Sequence, residues 1–181
     1  VRLVALFENE EVGSRTKQGA GSAVLMEVLR RIYASEAAAD TKEAADDGAR
    51  LSAALAGGFL LSVDVAHGLH PNHMSKSDPA VRPVLGGGAV IKQAASQAYA
   101  GDAEAVAIVR ALCEERGIVH QDFVNRSDSR GGSTLGSIAS ALVPVRTMDV
   151  GVPILAMHSA RETMGAADEM ALTALVQAVL E

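Results

Sequence analysis

Cysteine, a positive charge excess and long apolar runs are what this sequence lacks. A single Cys among 181 residues rules out an internal disulfide and fits a reducing compartment. That residue, Cys113, falls beside Val109 and Leu112 on a helical spacing, so it reads as a buried, inert thiol rather than a nucleophile. The 16 basic residues are outnumbered by 22 acidic ones, for a net charge of −6 with no basic stripe, which argues against a nucleic-acid partner. No stretch of 18 apolar residues is present and no basic-then-apolar leader opens the chain. The expectation is a soluble, unexported, cytoplasmic protein with no membrane partner. The first residue is Val rather than Met and stands directly inside an apolar run, so a missing upstream segment is expected.

What is there is a globular composition, 49% hydrophobic, sufficient for one domain with a core. Apolar runs and helical periodicities alternate along the chain, which predicts an α/β sandwich on a mainly parallel sheet flanked by helices. Val1 to Phe7, Phe59 to Val65, Ala89 to Lys92, Gln121 to Asn125, Val145 to Val150 and Ile154 to Met157 read as strands. Val24, Leu25, Val28, Leu29 and Ile32 give one helical face. The Ala-rich residues 36 to 56, with Asp40, Asp46 and Asp47, read as a surface helix pair or a broken helix ended by Gly57 and Gly58. Asp102 caps a helix that Gly117 stops. Ala166 to Leu180 is a closing amphipathic helix with Met170, Ala174 and Leu175 inward. Residues 66 to 88 have no periodicity, and a loop of that length in a compact domain is usually functional.

The chemistry gathers where strands end. Glu10 and Glu11 follow the first apolar run, Asp64 the second and His158 the last, so three strand ends offer oxygen or nitrogen ligands at one edge of one sheet. Of two adjacent carboxylates, one can bind a metal while the other serves as general base, although an isolated Glu-Glu pair is also what a solvated acidic turn contains. Carboxylates mixed with imidazole suit zinc, manganese or cobalt in a hydrolase. His67 and His70 follow Asp64 at three and six residues, a spacing that can place one in the pocket and leave the other as loop scaffolding. Lys92 ends an apolar strand, as a pocket cation or as a snorkelling side chain at the sheet edge. The glycine-rich turn 127–134 opens a helix and can hold an anion, but it lacks the Gly-Lys-Ser/Thr ending of a phosphate loop.

The segments Asn9-Glu10-Glu11-Val12-Gly13-Ser14, Asp64-Val65-Ala66-His67-Gly68-Leu69-His70-Pro71-Asn72, Val90-Ile91-Lys92 and Met157-His158-Ser159-Ala160-Arg161-Glu162 together resemble the aspartyl aminopeptidase family of dizinc metallopeptidases. The resemblance implies a three-layer, dizinc-exopeptidase-like sandwich, incomplete at its N-terminus, with residues 1–181 as the C-terminal portion of the catalytic domain. An upstream catalytic segment, with a zinc-binding His and a metal-bridging Asp, and a dimerisation domain would be absent. It implies Glu10 as general base, Glu11 and His158 on one zinc, Asp64 on the other, and His67 and Lys92 against the substrate. The turn 127–134 resembles the loop beside the family's specificity pocket. His73 and Ser77 depart from the family pattern, where Tyr and His are usual. The implied function is removal of N-terminal Asp or Glu from peptides by a two-zinc homo-oligomer. The alternatives are a broad-specificity dizinc aminopeptidase and an inactive assembly module when the chain is isolated.

Overall fold

The computed structural model describes residues 1–38, 47–129 and 131–181, and these fall into two compact units. One comprises Val1–Leu60 with Ser137–Arg146, the other Leu61–Gly136 with Thr147–Glu181. The helix expected on Val24 to Ile32 is α1 (Val24–Ala38); of the helix pair or broken helix expected over 36–56, α2 (Asp47–Ala56) is described, while Asp40 and Asp46 lie outside the described residues. Gly57 and Gly58 end α2 as expected, their N–H groups donating to the Ala53 and Leu55 carbonyls.

The remaining elements are β1 (Phe59–His67), β2 (Ala89–Gln93), α3 (Ala103–Arg116), β3 (His120–Val124), α4 (Leu135–Leu142), β4 (Arg146–Leu155), β5 (Thr163–Met164) and α5 (Ala166–Leu180). The sheet runs in the order β1-β4-β2-β3, with β5 on β4. It is an α/β sheet flanked by helices, as the alternation of elements predicts, and its strand directions are mixed. β2 and β3 are parallel, but β4 is antiparallel to both β2 and β5. Contacts of β1 with β4 advance in the same sense along both strands, Asp64 beside Gly151 and then Gly68 bonded to the Ile154 carbonyl.

In the second unit α5 packs on β2 and α3 on α5. The unit buries Ile91, Val109, Cys113, Met148, Val150 and Leu175 out of contact with solvent, while Val90, on the opposite face of β2 from Ile91, clusters with Ala66, Tyr99 and Phe123. α3 follows from its ends: the Asp102 carboxylate accepts from the Ala105 N–H at 2.7 Å, and Gly117 terminates the helix at φ 65°.

Three sequence expectations need correction. Val1–Phe7 is not a strand; Val1, Val4 and Leu6 are exposed, and no strand of the sheet pairs with the segment. An apolar run becomes a strand only where a neighbour takes up its backbone groups. The two expected strands 145–150 and 154–157 are one strand, β4, because Pro153 lies past the last β2 pairing at Gly151 and there forfeits no bond to β2. Met170 is exposed at 73%, so α5 turns Leu175 inward but not Met170. Among the described residues no helix is long and apolar enough to cross a membrane.

Candidate active site

In the first unit, Glu10 and Glu11 sit on a tight turn. Gly13 N–H donates to the Glu10 carbonyl and Ser14 N–H to that of Asn9, both at 2.9 Å, and Gly21 N–H donates back to the Ser14 carbonyl at 3.0 Å. A Cβ at Gly19 would lie 2.3 Å from the Ser14 carbonyl oxygen, so only glycine lets the following loop close over the turn. Asn9 (φ 62°) and Ser14 (φ 58°) both occupy the left-handed region, which costs a non-glycine residue energy and points to a functional constraint. Glu10 is half-buried and Glu11 exposed.

In the second unit the other motifs come together. Asp64 lies inside β1 rather than at its end, because the strand continues to His67. Since β4 separates β1 from β2, Lys92 must cross β4 to reach Asp64. Its Nζ donates to the Val65 carbonyl at 2.8 Å and meets Asp64 Oδ2 at 3.3 Å. The Lys92 side chain is only 3% exposed, against 26% for Asp64, so the ammonium is buried rather than snorkelling. It stands 4.7 Å from the centroid of the Tyr99 ring. His67 reaches solvent on one side, yet desolvation by the surrounding chain holds its pKa below the ordinary value, aided by the positive charges of His158 and Lys92. The site thus favours a neutral imidazole, the form whose free ring nitrogen can ligate a metal or accept a hydrogen bond. His70 is the scaffolding histidine, its Nδ1 accepting the Asn72 N–H at 3.1 Å.

β4 ends at Leu155 and the chain turns through two left-handed residues, Ala156 (φ 58°) and His158 (φ 65°). The His158 N–H donates to Glu162 Oε1, a bond that holds the exposed imidazole at the rim. Four of the five non-glycine residues at positive φ among the described residues therefore flank or include the expected catalytic and ligand positions.

Sequence reasoning missed two buried carboxylates. Asp149, on β4, accepts from the Thr134 hydroxyl at 2.7 Å and from the Ala100 N–H, tying the end of the 127–134 turn to the end of the Tyr99 segment. Burial pushes its pKa up, opposed by those bonds and by Lys92. Asp168, in the first turn of α5, accepts from Gly86 N–H and Gly88 N–H, each at 2.7 Å, and so fixes the glycine loop that leads into β2 and Lys92. The available signal was a charge set among apolar neighbours in Thr147-Met148-Asp149-Val150, since a buried carboxylate must be compensated. Asp168 gave no such signal, because acidic residues in a first helical turn are common. Arg130 of the 127–134 turn lies outside the described residues.

The donors fit zinc in kind, carboxylate and imidazole together, but not in number: among the described residues no three His, Cys, Asp or Glu side chains converge as a cage.

Over residues 1–179 the sequence matches the family described as "Aminopeptidase I zinc metalloprotease (M18)". It is 44% identical over 168 residues to a probable M18 family aminopeptidase 2 of Clostridium acetobutylicum, covering 93% of this chain and 37% of that protein. It is 39% identical over 165 residues to an aspartyl aminopeptidase of Dictyostelium discoideum, covering 91% and 34%. Its fold superposes on the crystal structure of prApe1 with a TM-score of 0.86 at 30% identity, covering 96% of this chain and 35% of that one. On the S. cerevisiae mApe1 dodecamer the TM-score is 0.74 at 28% identity, with 97% and 36% covered. The chain thus spans about a third of the length of the relatives it matches. With the match running over nearly every residue, the chain belongs to the M18 family of aminopeptidase I zinc metalloproteases.

Proposed function

We propose that the chain is the C-terminal portion of the catalytic domain of a metal-dependent aminopeptidase that removes N-terminal Asp or Glu from peptides. The shared motifs and the relatives that carry the name aspartyl aminopeptidase support this reading. Glu11, Asp64 and His158 supply part of the ligand set, and an upstream segment supplies the rest. Two zinc ions, or manganese or cobalt in their place, would acidify a water and polarise the scissile carbonyl. Glu10 takes the proton of the attacking water and delivers it to the leaving amine. His67, held neutral, hydrogen-bonds the substrate. An upstream dimerisation domain would build a homo-oligomer, which the dodecameric neighbour supports, and the single Cys supports a cytoplasmic location.

The observation that carries the specificity is the buried ammonium of Lys92. Of its three N–H donors, the Val65 carbonyl and Asp64 engage two. A substrate carboxylate would complete its set, whereas a neutral side chain would leave a buried charge under-compensated. Broad specificity is the second reading, and the existing Asp64 ion pair is what favours it. One experiment separates the two: kcat/KM of the full-length enzyme and of Lys92→Ala on peptides with acidic and neutral first residues. The acidic reading expects Lys92→Ala to lose roughly 10²-fold on acidic peptides and little on neutral ones. An equal loss on both would leave Lys92 as a structural residue. In parallel, Glu10→Gln should keep its metals while kcat falls by roughly 10²–10⁴-fold, and unchanged turnover would remove Glu10 from the base role.

A further inference from the structure

We infer that Tyr99 is a positioning residue for specificity, the platform that holds Lys92 and couples it to the 127–134 loop. The inference rests on the reading of Lys92 given above. A buried ammonium on a four-carbon stem is set in place only by what surrounds its head, and here one whole side is the Tyr99 ring, 4.7 Å away at the centroid.

The ring is fixed from three directions. Its hydroxyl accepts from Asn125 Nδ2 at 2.9 Å, and Phe123 packs at 5.9 Å between centroids. Its own backbone is pinned one residue on, where Ala100 and Asp149 exchange bonds: Ala100 N–H to the Asp149 carboxylate, and Asp149 N–H to the Ala100 carbonyl at 2.9 Å. The 127–134 loop meets the same ring. A Cβ at Gly131 would lie 2.1 Å from Asn125 Nδ2 and 3.3 Å from the Tyr99 hydroxyl, so a side chain there would push the Asn125 amide off its bond to the ring. Thr134, at the loop's end, reaches Tyr99 through its N–H to the Ala98 carbonyl and its hydroxyl to Asp149. The Tyr99 hydroxyl is engaged by Asn125 and its ring face by the Lys92 ammonium, so it acts through Lys92.

Two substitutions in the full-length protein test this, with two readouts. Tyr99→Phe keeps the ring beneath Lys92 and loses only the hydroxyl, whereas Tyr99→Leu keeps apolar volume and loses the ring face. The expected result is that Tyr99→Leu lowers the ratio of kcat/KM on acidic over neutral peptides by about 5- to 30-fold, and that Tyr99→Phe restores it. The second readout is acylation of Lys92 by an amine-reactive ester, followed by peptide mass spectrometry; it should speed up severalfold in Tyr99→Leu and stay slow in Tyr99→Phe. Equal losses on all peptides, or an unchanged ratio in Tyr99→Leu, would overturn the positioning role. A wild-type enzyme without acidic preference would instead remove the specificity reading. The acylation rates then decide the platform role by themselves: equal rates in Tyr99→Leu and wild type would overturn it.

Discussion

Replacing Asp168 by Ala removes one side chain and orphans two backbone donors 80 and 82 residues away in sequence. Both bonds are 2.7 Å long and end on a carboxylate that is out of contact with solvent, the geometry of charge-assisted bonds. A hydrogen bond to a charged group contributes about 1.5–3 kcal/mol, which sets an upper bound of about 6 kcal/mol for the pair. Two effects reduce that figure: the mutant no longer desolvates a carboxylate, and Gly86 is exposed, so water can replace its bond. Gly88 N–H is buried and has no such relief. The expected loss is therefore about 3 kcal/mol, and about half that for Asp168→Asn, whose single carbonyl serves one donor. Urea unfolding reads it directly: at an m-value of about 2 kcal/mol/M, the Ala variant should unfold about 1.5 M earlier at unchanged slope. The exposed neighbour Glu169→Ala should stay within about 0.5 kcal/mol. Amide exchange of Gly86 and Gly88 should accelerate in both Asp168 variants before global unfolding. A loss below about 1 kcal/mol for Asp168→Ala, or equal losses for Ala and Asn, would show that the clasp does not carry the loop.

Two further outcomes follow from residues already placed. Burial pushes the Cys113 thiol above its ordinary pKa, so less thiolate is present at any given pH than on an exposed Cys; alkylation by iodoacetamide at pH 7–8 should be negligible in the folded chain and rapid in denaturant, and fast labelling of folded protein would refute the buried placement. With no three ligating side chains converging among the described residues, the chain of 1–181 should bind fewer than two equivalents of zinc in calorimetry and should not hydrolyse an aspartyl peptide; two tight sites together with turnover would overturn that reading.

The elements that the sequence makes legible are those whose determinants are local. Asp102, Gly117 and the even spacing of Val109 and Cys113 define α3 without reference to anything else, and Ala166–Leu180 follows in the same way. Strands are less legible because their stability lies in a neighbour. Val1–Phe7 has the composition of a strand and no strand of the sheet beside it, whereas β4 keeps Pro153 because the sheet does not need that N–H. Among the expected site residues, types that need unusual company were readable as candidates: the Glu pair, Asp64, His67, Lys92 and His158. Their supports were not. The bonds that join Asn125 to Tyr99, Asp149 to Ala100 and Asp168 to Gly86 span 26 to 82 residues, and no pattern in a short window reports such a partner.

The interleaving of the two units fixes an order in time. The unit that carries Glu10 and Glu11 begins at the first residue but takes its last ten residues, Ser137–Arg146, from a segment that interrupts the other unit. On a ribosome adding about 5–20 residues per second, the stretch that ends at Leu60 would wait roughly 4–17 s for those residues to be made. During that interval the Asn9–Ser14 turn can close on its own bonds, but Gly58 has no Val145 to pack against and Gly21 no Ile138. The Glu10–Glu11 turn would thus be made some seconds before the residues that secure the segments behind it.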